Sequence, residues 1–200
     1  MTELLIFGRI ILQWQSTLST ARKYVHSTAY RFLIAADAWV FLTLLLAIAI
    51  SVPTINVYTH GTHITVAHTM GATIGINTFL LLAFAVDILK DKSPVSLNTK
   101  WFNRGYWVAN ISLFIFWISL IAAGIAKAKW QMSDSRIVFG AMMMQLTPYF
   151  IVFFISGISL MFGLLLIVFS LLKTQIRNPL KNTVKSYKAE EKELDMIVSS

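Results

Sequence analysis

The chain has 200 residues, enough for one domain, but its hydrophobic fraction of 56%, charged fraction of 13% and mean hydropathy of +0.68 exclude an ordinary soluble domain, since soluble chains carry about 25% charged residues. There is no cysteine, which excludes disulfides and thiolate metal sites. The net charge of +8 is concentrated in loops and tails, and in a membrane protein such charge indicates topology and contact with anionic lipid before it suggests nucleic acid. The composition therefore predicts an all-α, polytopic helical bundle in a lipid bilayer, with no nucleic-acid partner.

Residues 1–30 have a mixed pattern. The apolar stretch from Leu4 to Leu12 is interrupted by Gly8 and Arg9, and it is too short to cross about 30 Å of hydrocarbon. It is typical either of an amphipathic helix in the membrane interface or of a truncated spanning helix, and a basic cytoplasmic segment follows it.

A transmembrane domain is predicted over residues 31–172. Its four apolar spans are expected at about 32–52, 64–89, 106–126 and 148–172.

Two prolines are expected to shape these spans. Pro53 should end the first one, because proline lacks the amide donor and clashes with the preceding turn. Residues 137–172 carry no charge and would measure about 54 Å as one straight helix, so a break or kink is predicted at Pro148, with 137–147 as a separate segment before the fourth span. The charged tail, 173–200, is expected to be cytoplasmic, either as a solvated helix or disordered.

Positive charge predicts the orientation of the spans. Lys and Arg occur before the first span, between the second and third spans and in the tail, whereas residues 53–63 have none. Cytoplasmic segments are enriched in Lys and Arg, so both termini are expected to be cytoplasmic and the loop 53–63 is expected to face outside.

Three of the four histidines lie in the segment 56–77, which leads from that loop into the second span. If the helix begins at Ile64, His68 lies about 6 Å below its start, in the outer third of the membrane. An ionisable side chain at such a position is a functional hypothesis by default. At about 100° per residue, Gly71 and Gly75 lie on the same face as His68.

This face, which also includes Ala72, has almost no side-chain bulk, and two interpretations remain open. The glycines could allow close helix packing, which spacing alone favours, or a flat macrocycle could lie against them with His68 as its axial ligand. A further interpretation also remains open, in which His68 belongs to a polar hydrogen-bond network or binds another metal. One compact zinc site is not expected, because His60 and His63 lie at the helix mouth and His63 and His68 point about 140° apart on a helix.

Met70 adds a second point of interest. Positions i and i+2 on a helix are about 200° apart, so Met70 faces the side opposite His68. It is either an ordinary core residue or the ligand of a second haem.

The stretch Tyr58-Thr59-His60-Gly61-Thr62, followed by Val66-Ala67-His68 and a glycine-rich helix, resembles the tenth helix of the large subunit of bacterial nitric oxide reductase. That family belongs to the haem–copper oxidase superfamily, subunit I. By this resemblance His68 would be the axial ligand of the catalytic haem b and His60 would lie near the haem propionates. On the macrocycle interpretation, Gly71 and Gly75 would lie against that haem. Thr69-Met70 replaces the family's Gly-His, so a second haem would need Met70 as its ligand.

The resemblance covers only helices nine to twelve of a fold of about twelve, with residues 4–15 similar to the end of helix eight. It implies that the non-haem iron or copper site lies in a missing N-terminal part, and that this chain alone holds no catalytic residues. The resemblance also implies a multi-pass protein of the bacterial inner membrane.

The chain is thus expected to be the C-terminal part of a respiratory terminal reductase that reduces NO to N2O, or O2 to water in an oxidase-like relative. Expected partners are the N-terminal half of the large subunit or a companion chain, and a cytochrome c-type or quinol electron donor. The alternatives are a membrane haem carrier, sensor or assembly factor without catalysis, and a purely structural helical module.

Overall fold

The computed structural model describes Ile6, Arg9 and Gln13 and residues 27–92, 100–133 and 137–198, with side chains described outside 90–92 and as far as Thr174. The elements in the continuous ranges are all helical. They are α1 (Ser27–Ser51), α2 (Pro53–Thr59), α3 (His63–Met70), the π-helix π1 (Gly71–Thr78), α4 (Phe79–Lys92), α5 (Lys100–Met132) and α6 (Phe139–Val198). Most of the segment 1–30, for which an interfacial or truncated helix and a basic cytoplasmic segment are predicted, lies outside the described residues; residues 27–30 form the start of α1.

Four helical stretches in the described ranges are long and apolar enough to cross a membrane, which confirms the all-α membrane bundle. They are Ser27–Ser51, His63–Leu89, Lys100–Met132 and Phe139–Thr174. The third is longer than the apolar segment 106–126, because its helix continues into turns rich in Lys, Arg, Trp and Tyr. Such side chains reach the headgroup region from a helix end. With an even number of spans, the start of α1 and the end of the fourth span lie on the same side of the membrane.

Pro53 separates two helices, as its backbone chemistry predicts. α1 ends at Ser51 and Val52 is extended, with φ −70° and ψ 121°. Pro53 then begins the short helix α2, because the first helical position needs no amide donor and the fixed φ of proline suits it. The polar loop before the second span therefore contains a seven-residue helix that the sequence analysis did not predict.

Pro148 does not divide the last span, so the prediction of a break there was wrong. α6 runs without interruption from Phe139 through Pro148, and residues 139–147 belong to it instead of forming a separate segment. A proline removes one backbone hydrogen bond, but in lipid the remaining groups have no water to bond to, so the helix persists around it. The backbone of α6 remains helical to Val198.

The core joins the first span to the second and third spans. Phe32 of α1 packs edge-on against Phe102 of α5, with ring centroids 5.6 Å apart, and lies 6.1 Å from the ring of Phe79. α5 and α6 approach closely, since a Cβ added to Gly105 would lie 2.9 Å from the carbonyl oxygen of Gly163. Small residues allow this approach in membranes, where van der Waals contact drives helix association.

Candidate functional site

The mouth of the second span is a tight turn closed by Thr62. Its side chain accepts from the backbone N–H of Ile64 at 3.3 Å and donates to the carbonyl of Thr59 at 2.6 Å, so it caps α3 and ties it to the end of α2. Gly61 has φ +69°, a left-handed conformation that a residue with a Cβ adopts only at a cost. The Gly-Thr pair of the motif thus builds the turn itself.

A lysine from a distant helix fixes this turn. Lys127 of α5 donates from Nζ to the carbonyl of Gly61 at 2.8 Å. Nearby, the start of α3 packs closely against α5, since a Cβ added to Gly124 of α5 would lie 2.7 Å from the backbone nitrogen of Ile64. Contacts with α5 therefore fix the mouth in place, and the ammonium group of Lys127 gives it a positive charge.

The two mouth histidines have different surroundings. His60 is exposed at the end of α2. His63 is half-buried, and its ring meets Phe150 of α6 edge-on at 5.1 Å. Its Nδ1 is enclosed and has no hydrogen-bond partner in the described part of the chain. Among the described residues no three His, Asp or Glu side chains lie close enough to share a metal ion.

Below the mouth, the burial pattern of the second span does not follow the 3.6-residue period of an α-helix. From Gly71 to Phe79 burial repeats every four residues. Four residues of an α-helix turn about 40° beyond a full circle, whereas π1 bonds i to i+5 and turns less per residue. The positions after Met70 therefore do not follow the α-helical spacing, and residues four apart share one burial class; each such set is called a strip.

Four such strips surround the helix. The buried strip comprises Ala67, Gly71, Gly75 and Phe79, and the half-buried strip beside it comprises His68, Ala72, Ile76 and Leu80. Next come the exposed strip, Thr65, Thr69, Thr73 and Asn77, and a second half-buried strip, Met70, Ile74 and Thr78.

This arrangement corrects the predicted face of His68. Of the three small residues expected on that face, only Ala72 shares its strip. Gly71 and Gly75 lie on the neighbouring buried strip, because the π-helix shifts the positions after Met70.

Both glycines fit a notch formed by other helices. A Cβ on Gly75 would lie 2.5 Å from ring atoms of Trp39 of α1. A Cβ on Gly71 would overlap the Thr43 side chain and lie 3.2 Å from Nε1 of Trp117 of α5. The two tryptophans themselves meet edge-on at 5.8 Å. The packing interpretation therefore describes these glycines, with indole rings as their partners instead of small residues.

Haem is the group that the resemblance implies, and the residues present fit it at His68. The imidazole is half-buried one turn below the mouth, and its Nδ1 is enclosed without a hydrogen-bond partner among the described residues. An imidazole with an unpaired ring nitrogen offers the kind of nitrogen ligand that haem iron takes. Ala72, on the same strip one turn below, has little side-chain bulk, whereas the glycine strip is already covered by side chains.

Met70, predicted to face the side opposite His68, belongs to a different strip. It is half-buried and packs against the hydrophobic core.

The predicted residues are thus not all gathered in one place. His60 lies at the mouth, His68 lies below it, and the glycines and Met70 face helix contacts. Sequence reasoning missed the roles of Lys127, Trp39 and Trp117. No local pattern marks these three, because each meets the motif across a large separation in sequence.

A protein-family model described as Cytochrome C and Quinol oxidase polypeptide I matches residues 1–176. No curated protein matches the chain. The family match includes the histidine motif and all four candidate spans. The chain therefore belongs to the haem–copper oxidase subunit I family.

Proposed function

We propose that this chain is the C-terminal, haem-ligating part of a nitric-oxide-reductase-like subunit I, with His68 as the axial ligand of its catalytic haem b. One observation carries the proposal. His68 is a half-buried intramembrane imidazole with an enclosed, unpaired Nδ1, in a chain of the haem–copper oxidase family. Ionisable residues within a span are costly and usually mark functional sites.

The bound haem iron would supply the redox chemistry, and the residues of this chain bind and orient it. One ring nitrogen of His68 would bind the metal. The N–H on the other ring nitrogen would donate a hydrogen bond to an acceptor outside the described residues. The depth of His68 is set from two sides, by the capped turn above it and by the two glycines packed against tryptophans below it. Such support holds a ligand in one orientation.

At the mouth, His60 would lie near the haem propionates, as the resemblance implies. An exposed imidazole beside a turn that already binds an ammonium group suits carboxylates. An ammonium group has three N–H donors, and the contact between Lys127 and Gly61 uses one of them.

The proposal extends to the assembly. The non-haem iron or copper would come from an N-terminal part of the subunit or from a companion chain, and a cytochrome c-type protein or a quinol would supply electrons. The complete enzyme would lie in a bacterial inner membrane, with both termini of this chain cytoplasmic. Nitric oxide is the preferred acceptor because the motif is reductase-like, and O2 is the alternative.

The test is a His68→Ala variant in the complete complex. We expect loss of the catalytic-haem absorption band and of NO consumption, with O2 consumption assayed in the same preparation. His63→Phe is the matched control, since it keeps the ring contact with Phe150, and its spectrum should match that of the wild type. A His68→Ala complex with unchanged haem content and spectrum would rule out the assignment.

A further inference from the structure

An unusual polar strip runs along the outward side of the second span. Thr65, Thr69, Thr73 and Asn77 are all exposed. The same side continues beyond them as Leu81, 69% exposed. Only the outer half of this face is polar, and it lies between the strips of His68 and Met70.

Asn77 occupies the least favourable depth for an amide. It is one residue past the midpoint of the 27-residue span His63–Leu89. Its side chain makes no hydrogen bond within the described part of the chain, although an amide offers two donors and an acceptor. In the hydrocarbon core no water is available to it, so an unpaired amide there is costly.

The threonines are arranged differently. Thr69 donates to the carbonyl of Thr65 at 3.1 Å, Thr73 to that of Thr69 at 2.9 Å, and Thr65 to that of Thr62 at 3.2 Å. Their protons are used within the helix, so each hydroxyl presents only acceptor lone pairs outward.

We infer that this strip is the docking surface for a transmembrane helix of the companion part of the enzyme, one that carries hydrogen-bond donors on its contact face. A second copy fits less well, because the threonine rows of two such strips would place acceptors against acceptors and leave only Asn77 to supply donors. Lipid tails offer no hydrogen bond to Asn77. A helix with amide, phenol or indole donors satisfies both the acceptor row and the amide at mid-membrane depth.

The inference rests on the proposed function for the identity of the companion. It also places that companion next to His68, on the side of the helix that this chain leaves uncovered.

The test uses the complete complex in native membranes, with the photoreactive residue benzoylphenylalanine in place of Thr73. We expect a crosslink to a peptide from a transmembrane segment of the companion part, whether that is a second polypeptide or a distant segment of the same one. Benzoylphenylalanine in place of Phe154, which is 65% exposed on α6, is the matched control and should crosslink to lipid. A Thr73 crosslink to lipid, or to Thr73 of a second copy, overturns the inference.

A second measurement tests the role of Asn77. It follows the association of this chain with the companion part as the detergent concentration is raised. Asn77→Leu should weaken association about threefold, the effect of one average interhelical hydrogen bond in a membrane, and Asn77→Gln should restore part of the loss. Equal association of the Leu variant and the wild type overturns the role of the amide.

The haem band, read in the same samples, separates the two claims. A crosslink to the companion part in a complex without the haem band would support the interface and contradict the proposed haem function. A haem band together with a crosslink only to lipid would support the haem function and contradict the interface.

Discussion

At the scale of single residues, the glycines below His68 show how the absence of a side chain determines structure. Gly75 lies against the root of the Trp39 side chain, including Cβ at 2.9 Å from an added Cβ. The indole cannot move away by rotation alone, because its Cβ is fixed to the backbone of α1. Gly71 meets Thr43 and Trp117 in the same notch. The position of His68 along the membrane normal depends on this contact.

A Gly75→Ala substitution is expected to destabilise the protein by about 1–3 kcal/mol, the usual cost of an overpacked core. Thermal unfolding of the purified complex measures it. Gly140→Ala is the control, since an added Cβ there meets nothing within 4 Å, and its stability should be little changed. Equal stability of both variants would show that the tryptophan notch is not rigid.

Met70 is expected to behave as a core residue. Met70→Leu has a similar volume and packs against the same apolar neighbours, so the haem spectrum should be unchanged and the free energy of unfolding should fall by less than about 1.5 kcal/mol. Absorption spectra of the reduced complex check this. Loss of a low-spin band in the variant would instead identify Met70 as the ligand of a second haem.

At the scale of elements, the second span combines three helical segments and a capped turn. Thr62 and Gly61 start it at a defined point, and Lys127 holds that point to α5. Within π1, residues four apart share one burial class. Short π segments inside helices are rare and frequently occur at functional sites. Here the segment begins immediately after Met70, so it separates the positions of His68 and Gly71 more than an α-helix would.

Thr62→Ala should destabilise the complex by about 1 kcal/mol, the typical value of an N-cap. Thr62→Ser keeps the hydroxyl group that accepts from the Ile64 N–H and donates to the Thr59 carbonyl. Its free energy of unfolding is expected to stay close to that of the wild type. Chemical unfolding of the two variants side by side gives the comparison. If the Ser variant loses as much as the Ala variant, the methyl group matters more than the cap.

At the scale of the whole molecule, four spans place the start of α1 and the end of the fourth span on one membrane side and the histidine mouth on the other. The absence of Lys and Arg from residues 53–63 predicts that the mouth side is the external one. The proposed haem site would then lie near the outer surface, and the basic segments would face anionic lipid on the cytoplasmic side.

Single cysteines test this orientation cleanly, because the chain has none of its own. In spheroplasts, a membrane-impermeant maleimide should label Val57→Cys, whose native side chain is 75% exposed. It should label Ser199→Cys only after permeabilisation. The opposite labelling pattern would place both termini outside and reverse the assignment.

The amino-acid sequence by itself determined the class, the number of spans and the location of the imidazole. Lipid forces every backbone group to bond within its own helix, so the length and hydropathy of a segment are enough to predict a span. The same pattern, together with the histidine motif, led to the family.

Only the tertiary structure decided which side chains meet. The notch for Gly71 and Gly75 is formed by Trp39 and Trp117, and the turn at Gly61 is held by Lys127, all contacts that depend on how distant helices cross. The strip of His68 was mispredicted because the sequence does not reveal that an α-helix changes to a π-helix after Met70. Helix period and helix crossing are both set by packing between segments far apart in the chain, which is why local spacing predicted the histidine and its depth but not its neighbours.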